Sequence, residues 1–225
     1  MSAIETPQLD LVLCLDKPYT WTSFDVVKKV RRVLKMKKVG HAGTLDPLAT
    51  GLLIVCTGKK TKTIDSIMGT EKEYSGAISL GATTPSYDLE TPLENITDIS
   101  ALTNLEIRKI VKQFLGTITQ VPPIYSAIKV NGKRAYDEAR KGNEVVIKQR
   151  QVFIKEFRIT KIELPLVYFN IVCSKGTYIR TIADDFGKAL NCGGHLHALR
   201  RERIGNHSIK DALTPEQLEA QYLSA

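Results

Sequence analysis

The sequence predicts an α+β fold with a largely antiparallel sheet. Segments with helical periodicity and segments with strand character are mixed, without the regular βαβ period of a doubly wound fold. Two strand segments, 145–164 and 167–174, follow each other closely and are rich in β-branched and aromatic residues. The 225 residues suffice for one large domain or two small ones, and they contain no internal repeat.

The N-terminal part of the chain predicts a strand followed by a basic helix. Residues 9–18 form a short apolar run that ends at a Lys-Pro turn, which favours a buried strand. A Thr-x-x-Asp capping box at 22–25 predicts a helix from Phe24 to about Lys38, which Gly40 would end. One face of this helix carries cations and no carboxylate beyond the capping box, which fits phosphate contacts as well as it fits a solvated surface. The cations are Lys28, Lys29, Arg31, Arg32, Lys35, Lys37 and Lys38.

The middle of the chain predicts two strands and a second capped helix. Residues 52–58 favour a buried strand, 63–69 a helical turn and 73–81 an alternating strand. Residues 82–98 are rich in turn formers and predict a flexible connection. A Thr-x-x-Glu capping box opens a helix over 103–116.

The C-terminal half predicts an excursion from the sheet and then the remaining elements. The excursion, 119–142, contains a Pro-Pro pair, an Asn-Gly turn and a short helix. The elements that follow are strands at 145–164, 167–174 and 195–205 and helices at 176–190 and 214–223.

Composition points to a cytoplasmic protein with a polyanionic partner. The formal net charge is +8 and the pI is about 9.3, which favours nucleic acid first and an acidic membrane second. No run of eighteen apolar residues predicts a transmembrane helix, and the acidic N-terminus does not resemble a secretory signal. The four cysteines are scattered through apolar or glycine-rich surroundings, which favours reduced thiols over a disulfide framework.

Several catalytic classes do not fit the motifs. A phosphate loop fails because Leu53 stands where the first glycine should precede Gly58. No serine has the Gly-x-Ser-x-Gly surroundings of a hydrolase nucleophile. Cys192, His195 and His197 lack a second pair at metal-ligand spacing, so we expect no metal site and a packed thiol at Cys192.

The stretch GHAGTLDPLATG, residues 40–51, combines many turn formers with a single carboxylate, Asp46, and the imidazole of His41. Asp before Pro commonly starts an Asx-turn, and the same rigid turn suits a nucleophile or base held at a fixed angle. Further along, Tyr178 and Arg180 lie near the start of a predicted helix. A partly buried Arg180 would keep a neighbouring Asp ionised, whereas an Arg on the helix surface would have no such role.

Six segments in the same order closely resemble the TruB family of tRNA pseudouridine synthases, from about residue 9 to the end. The longest and most specific is GHAGTLDPLATGLL. The others are LDKPYTWTSFDVV, YSGAISLG, PPIYSAIKVNGKRAYDEARKG, CSKGTYIRTIADDFG and HLHALRRERIG. The resemblance implies the pseudouridine-synthase fold, a mixed, mainly antiparallel sheet flanked by helices with a central RNA-binding cleft. It implies isomerisation of uridine 55 in the T-loop of elongator tRNAs, after base flipping and without cofactor or metal.

The resemblance also implies roles for individual residues. Asp46 would be the catalytic carboxylate and His41 would contact the RNA near the flipped nucleotide. Tyr74 would stack on the target base and take the C5 proton. Tyr178 and Arg180 would line the pocket, with Arg180 paired to Asp46, and Leu199 would form its apolar wall.

Finally, the resemblance implies a single catalytic domain over 1–225 that acts on the T-arm stem-loop. We also expect a monomer. Residues 119–142 would be the family's flexible RNA-binding insert. Because the chain stops at Ala225, we expect no C-terminal PUA domain of the kind that longer members append. Two alternatives remain open: the catalytic subunit of a guide-RNA-dependent synthase, and an RNA chaperone that binds tRNA without modifying it.

Overall fold

The computed structural model describes residues 9–126, 129–130, 133–134 and 147–223. The chain divides into two compact units, which we describe separately. The first unit comprises Met1–Tyr74 and Leu199–Ala225, and the second comprises Ser75–Ala198. None of the helices in the described residues is long and apolar enough to cross a membrane.

The secondary structure is an α+β arrangement. The strands are β1 (Val12–Lys17), β2 (Val39–Ala42), β3 (Ala49–Thr57), β4 (Lys72–Leu80), β5 (Gly116–Gln120), β6 (Lys129–Val130), β7 (Lys133–Arg134), β8 (Arg150–Glu163), β9 (Leu166–Cys173), β10 (Gly194–Ile204) and β11 (His207–Ser208). The helices are α1 (Ser23–Leu34), α2 (Ile64–Met68), α3 (Asn104–Ile110), α4 (Ile179–Ala189) and α5 (Pro215–Leu223). Short 3-10 turns cover Gly58–Thr63, Val111–Phe114 and Ile209–Asp211.

The sheet of the first unit is mixed around β3. Strands β1 and β2 both pair with β3 in antiparallel fashion. The end of β10 pairs with β3 in parallel, so that 199–201 lie beside 49–51. The apolar face of α1 packs against this sheet together with Leu218 of α5. The cations of α1 lie on its exposed or half-buried side.

The second unit is built on the antiparallel pairs β5–β8 and β8–β9. Its core contains a cluster of phenylalanine rings from a 3-10 turn, two strands and α4, with centroids 5.7–6.1 Å apart. These rings belong to Phe114, Phe157, Phe169 and Phe186. Helix α4 is also held closely at Gly187, where an added Cβ would lie 2.1 Å from the backbone nitrogen of Gly194. Together these contacts fix the helix that carries Arg180.

The structure corrects the predicted end of α1 and the extent of the loop after it. The helix ends at Leu34 rather than near Lys38, because Lys35 adopts the left-handed conformation and its N–H bonds the carbonyls of Arg31 and Arg32. Gly40 does not end the helix but lies in β2. The loop of the 40–51 stretch therefore shrinks to residues 43–48.

Other expectations are confirmed or lie partly outside the described residues. The capping boxes at Thr22 and Thr103 both form. The helix predicted over 103–116 divides into α3 and a 3-10 turn that ends at Phe114, and Gly116 instead begins β5. Strands β6 and β7 pair on either side of 131–132, whereas 135–142, with the predicted short helix of the insert, lie outside the described residues. All four cysteines are free thiols.

Candidate active site

The predicted site residues are distributed over both units. The first unit holds His41 on β2, Asp46 in the 43–48 loop, Tyr74 on β4 and Leu199 on β10. The second unit holds Tyr178 and Arg180 at the start of α4. We describe the surroundings of each group within its own unit.

The loop that carries Asp46 is anchored to the first turn of α1. The Ser23 hydroxyl accepts a hydrogen bond from the Leu45 N–H at 2.8 Å and donates one to the Leu45 carbonyl at 3.1 Å. Leu45 itself is buried. On the other side of Asp46, its carbonyl accepts a bond from the Ala49 N–H at 3.1 Å. The backbone on both sides of the carboxylate is therefore fixed.

Lys17 holds the next residue of the loop. Its buried ammonium donates to the carbonyls of Pro47 at 3.2 Å, Pro18 at 2.9 Å and Trp21 at 2.5 Å. Burial lowers the pKa of Lys17 to about 8, while the charge of Asp46 opposes this shift and that of Arg201 adds to it. Sequence reasoning missed Lys17, although it stands directly before a proline in the segment LDKP.

Arg201 holds the loop from β10. This side chain is buried, and its Nε donates to the carbonyl of Leu52 at 2.8 Å. Its two terminal nitrogens donate to the carbonyls of Gly43 at 3.0 Å and Thr44 at 3.4 Å. Sequence reasoning also missed Arg201, because nothing in the run LRRER distinguishes one arginine from its neighbours.

The other predicted residues of the first unit are buried or half-buried on strands. Burial and then the charge of Arg201 lower the pKa of His41, so its imidazole is neutral near pH 7. Tyr74 is only 9% exposed. Leu199 lies beside Ala49, the first residue of β3, in the parallel pairing of β10 with β3. Ala49 follows Asp46 by three residues.

The Arg180 side chain is buried, so of the two alternatives from the sequence, a buried Arg and an Arg on the helix surface, the structure has the first. Its guanidinium donates to the carbonyls of Tyr125 at 2.9 Å and Ser86 at 3.2 Å. One of its nitrogens lies 3.5 Å from a carboxylate oxygen of Asp88. Asp88 was not predicted. The expected pairing of Arg180 with Asp46 stays a prediction.

Tyr178 is held through both its backbone and its ring. The Gln120 side-chain amide donates to the Tyr178 carbonyl at 3.2 Å and accepts from the Tyr178 N–H at 3.1 Å. The guanidinium carbon of Arg150 lies 4.5 Å from the centre of the Tyr178 ring, within cation–π distance. Gln120 and Arg150 are further residues that the sequence did not single out.

The basic face of α1 is less uniform than its sequence suggests. Lys29 and Arg32 pair with Glu219 of α5, and Lys28 pairs with Asp25. Beyond the helix, exposed lysines cluster on two segments that are joined by a hydrogen bond from the Gly58 N–H to the Lys38 carbonyl at 2.9 Å. We call these residues the lysine patch: Lys35, Lys37, Lys38, Lys59, Lys60 and Lys62.

Cys192, His195 and His197 do not form a metal-binding group. Cys192 is buried and donates to the Gly193 carbonyl at 3.4 Å, and His195 is buried with Nδ1 3.1 Å from the Ala82 carbonyl. His197 is exposed. Within the described ranges, no group of three or more His, Cys, Asp or Glu side chains could hold a metal ion.

Family models match most of the chain. The TruB family pseudouridylate synthase N-terminal domain matches residues 31–179, and the tRNA pseudouridylate synthase B C-terminal domain matches 180–225. A tRNA pseudouridine synthase B of Flavobacterium johnsoniae is 52% identical over 209 residues, covering 90% of this chain and 91% of the relative. Its counterpart in Parabacteroides distasonis is 49% identical over 214 residues, covering 92% and 91%.

Solved structures give a more distant likeness. The crystal structure of a Cbf5–Nop10–Gar1 complex contains a chain with a TM-score of 0.74 and 29% identity. This similarity covers 94% of the present chain but only 54% of the other, so the present chain spans about half its length. An H/ACA RNP bound to a substrate RNA matches with a TM-score of 0.71 and 26% identity, covering 94% and 53%. The mixed sheet with flanking helices is thus the pseudouridine-synthase fold.

Proposed function

The chain belongs to the TruB family of pseudouridylate synthases, and from this we propose that it is a tRNA pseudouridine synthase. The specific reaction that we propose is the conversion of uridine 55 in the T-loop to pseudouridine, with Asp46 as the catalytic residue. The observation that carries the proposal is the identity of about one half to relatives named tRNA pseudouridine synthase B, over nine tenths of both chains. We further propose that the enzyme works in the cytoplasm as a monomer.

The reaction requires the target uridine to leave the T-loop stack. A stacked base does not expose its glycosidic bond, so the nucleotide is flipped at a cost of a few kcal/mol. Stacking of the flipped base on Tyr74 would recover about 1–3 kcal/mol of this cost. Because Tyr74 is largely buried, its ring is held by the protein before RNA arrives.

The chemistry is an isomerisation in which no atom is gained or lost. The N1–C1′ bond breaks, the base turns, and a C5–C1′ bond forms. The C5 proton is removed, for which we propose Tyr74 as the base, and N1 gains a proton. Asp46 would attack C1′, attack C6, or remove a ribose proton to give a glycal, and all three routes need a carboxylate with a fixed direction.

The anchored backbone around Asp46 supports this role. Ser23 and Lys17 bind the residues directly before and after Asp46, so the carboxylate starts from a defined position. We propose that Arg180 pairs with Asp46 and keeps it ionised once water is excluded. Within its own unit, Arg180 is oriented by Asp88 and by two carbonyls. His41 and Leu199 would contact the RNA and the flipped base.

The RNA backbone would be held by cations on the surface. The lysine patch offers six exposed ammonium groups on adjacent segments of the first unit. Such contacts add affinity that weakens with salt and do not read the base sequence. The insert at 119–142 contains further lysine and arginine residues, and we propose that they contact the T-arm. They are Lys129, Lys133, Arg134, Arg140 and Lys141.

Tritium release from a T-arm transcript labelled at C5 of uridine tests the proposal. The wild type should release tritium without guide RNA or protein partners, and Asp46→Asn should release none above background. Asp65→Asn is the matched control, because Asp65 is an exposed aspartate of the same unit, on α2. Release by Asp46→Asn at the wild-type rate would refute the role of Asp46.

The same assay separates the two alternatives. Release that appears only after a guide RNA is added would favour the guide-dependent class. If full-length tRNA binds and no tritium is released by the wild type, the protein is a binding module rather than an isomerase.

A further inference from the structure

We propose that Arg201 is a positioning residue of the reaction. Its buried guanidinium holds the loop that carries Asp46 and places a permanent positive charge behind that loop. This inference rests on the proposed function of Asp46, and it assigns a role to a residue that does not itself touch the substrate.

The hydrogen bonds of Arg201 reach both limbs of the loop. Two of them go to the carbonyls of Gly43 and Thr44, which precede Asp46 by three and two residues. The third goes to the carbonyl of Leu52 on β3, after the loop has closed. A guanidinium is a rigid planar fork, so it fixes these three carbonyls relative to one another. A lysine at this position would offer donors but no such fork.

The surrounding glycines allow this close contact. Gly51 has φ +99°, and an added Cβ would lie 2.4 Å from the carbonyl oxygen of Arg201. Gly43 has φ +95°, and its Cβ position lies 3.6 Å from a terminal nitrogen of Arg201. Two glycines of the 40–51 stretch thus let the loop and β3 approach Arg201 closely.

Arg201 and Arg203, two residues apart on β10, have different kinds of partner. Arg203 pairs with the carboxylates of Glu71 and Glu73 near the surface. The three bonds described for Arg201 go to neutral carbonyls, so its positive charge acts on the surroundings. This charge contributes to the lowered pKa of Lys17 and of His41. Lys17 bonds the Pro47 carbonyl in the loop, and His41 lies on β2 just before it. A field that disfavours these cations favours an ionised carboxylate at Asp46.

Loss of the Arg201 contacts should lower the reaction rate rather than weaken RNA binding. A displacement of about 1 Å at a reacting group costs on the order of a hundredfold in rate. The contacts proposed for the RNA phosphates lie on exposed lysines, whereas the Arg201 side chain is buried. We therefore expect a loss in kcat with little change in KM.

Arg201→Lys and Arg201→Met test the proposal, with Arg203→Met as the matched control on the same strand. Tritium release should show kcat lowered about tenfold or more in both Arg201 variants, with KM within about threefold of wild type. Arg203→Met should keep kcat within about twofold, although it loses its ion pairs with Glu71 and Glu73. All rates are normalised to the folded fraction measured by circular dichroism. If Arg201→Met does not fold, Arg201→Lys, which keeps the charge, carries the comparison.

Amide hydrogen exchange provides a readout that does not depend on activity. In both Arg201 variants the amides of Leu45 and Ala49 should exchange faster, because the bonds that protect them depend on the loop staying in place. Unchanged exchange at 43–49 together with kcat within twofold of wild type would overturn the proposal. A wild type that releases no tritium would refute the proposed function, while exchange would still decide whether Arg201 holds the loop.

Discussion

Arg180 and Asp88 form a buried ion pair in which a guanidinium nitrogen lies 3.5 Å from a carboxylate oxygen, with both side chains at most 5% exposed. Removing one partner of a buried ion pair costs about 3–5 kcal/mol where no other group compensates the remaining charge. The Ser86 and Tyr125 carbonyls also accept hydrogen bonds from the guanidinium. Asp88 thus has the geometry to set the direction of Arg180 within the second unit.

Asp88→Asn should lower both stability and activity. The amide keeps the volume of the side chain but removes the negative charge that Asp88 places beside Arg180, so we expect a loss of about 2–4 kcal/mol in unfolding free energy. We expect kcat to fall by about tenfold or more because Arg180 would lose its fixed orientation. Urea unfolding and tritium release measure the two effects. Asp98→Asn, which alters an exposed aspartate of the same unit, should leave kcat unchanged.

Gln120→Ala should loosen Tyr178. The substitution removes both hydrogen bonds to the Tyr178 backbone and leaves its N–H and carbonyl without those partners, at a cost of about 1–3 kcal/mol. If the ring contacts the substrate, KM for the T-arm should rise. The comparison is Gln151→Ala on β8, where the glutamine is exposed. Equal KM values for both variants and wild type would contradict a contact of the Tyr178 ring with the T-arm.

Lys17 should make the protein more stable as the pH rises from about 8 to about 10.5. Its folded pKa is about 8, whereas the unfolded side chain titrates near 10.5. Between these values the unfolded chain holds a proton that the folded protein lacks, so unfolding becomes less favourable as pH rises. We expect a contribution on the order of 1–3 kcal/mol over this window, which Lys17→Met should abolish.

The cysteine thiols also change stability over this pH range, so the Lys17 contribution is measured as the difference in unfolding free energy between wild type and Lys17→Met. Burial raises the pKa of Cys14, Cys56 and Cys192, so the folded state retains protons that the unfolded state loses. Their contribution therefore falls as pH rises, opposite to that of Lys17. Urea unfolding of wild type and Lys17→Met across the window cancels the thiol contribution. A stability gap that stays constant with pH would show that Lys17 is not protonated and buried as described.

Neutralising the lysine patch should weaken RNA binding in a salt-dependent way. Each lysine that contacts a phosphate should contribute about one unit to the slope of log K against log salt concentration. We expect Lys37→Gln and Lys62→Gln each to reduce that slope, with kcat at saturating RNA unchanged. Lys161→Gln is the control, since Lys161 is exposed and pairs with Glu163 in the second unit. Filter binding at several salt concentrations gives the slopes, and slopes equal to wild type would place the RNA elsewhere.

The features that could be predicted from the sequence are those that depend on neighbouring residues. Both capping boxes form because their two residues are three positions apart. The threonine hydroxyl accepts a hydrogen bond from the backbone N–H of the acidic residue, and the carboxylate accepts one from the backbone N–H of the threonine. The end of α1 was predicted wrongly, because a left-handed lysine, and not a glycine, ends it. Lysine has no sequence signal for that conformation, and the four residues after Leu34 are compatible with a longer helix.

The residues that support the site could not be predicted for a different reason. Arg201 and Lys17 act through backbone carbonyls, which every residue possesses, so their partners leave no trace in the side-chain pattern. Asp88 lies in a turn-rich segment, 92 residues before Arg180 (180 − 88), where aspartate is an ordinary turn former. The resemblance named Asp46 and Arg180, and only the folded chain shows what holds each of them.

The bond from Arg201 to Leu52 joins residues that are 149 positions apart. During synthesis the segment with Asp46 leaves the ribosome before the strand that secures it, because 149 positions separate Leu52 from Arg201. A nascent or prematurely terminated polypeptide would therefore display the entire 40–51 motif while its carboxylate remained without a defined direction. The carboxylate would acquire its direction only once β10 has been synthesised and has paired with β3.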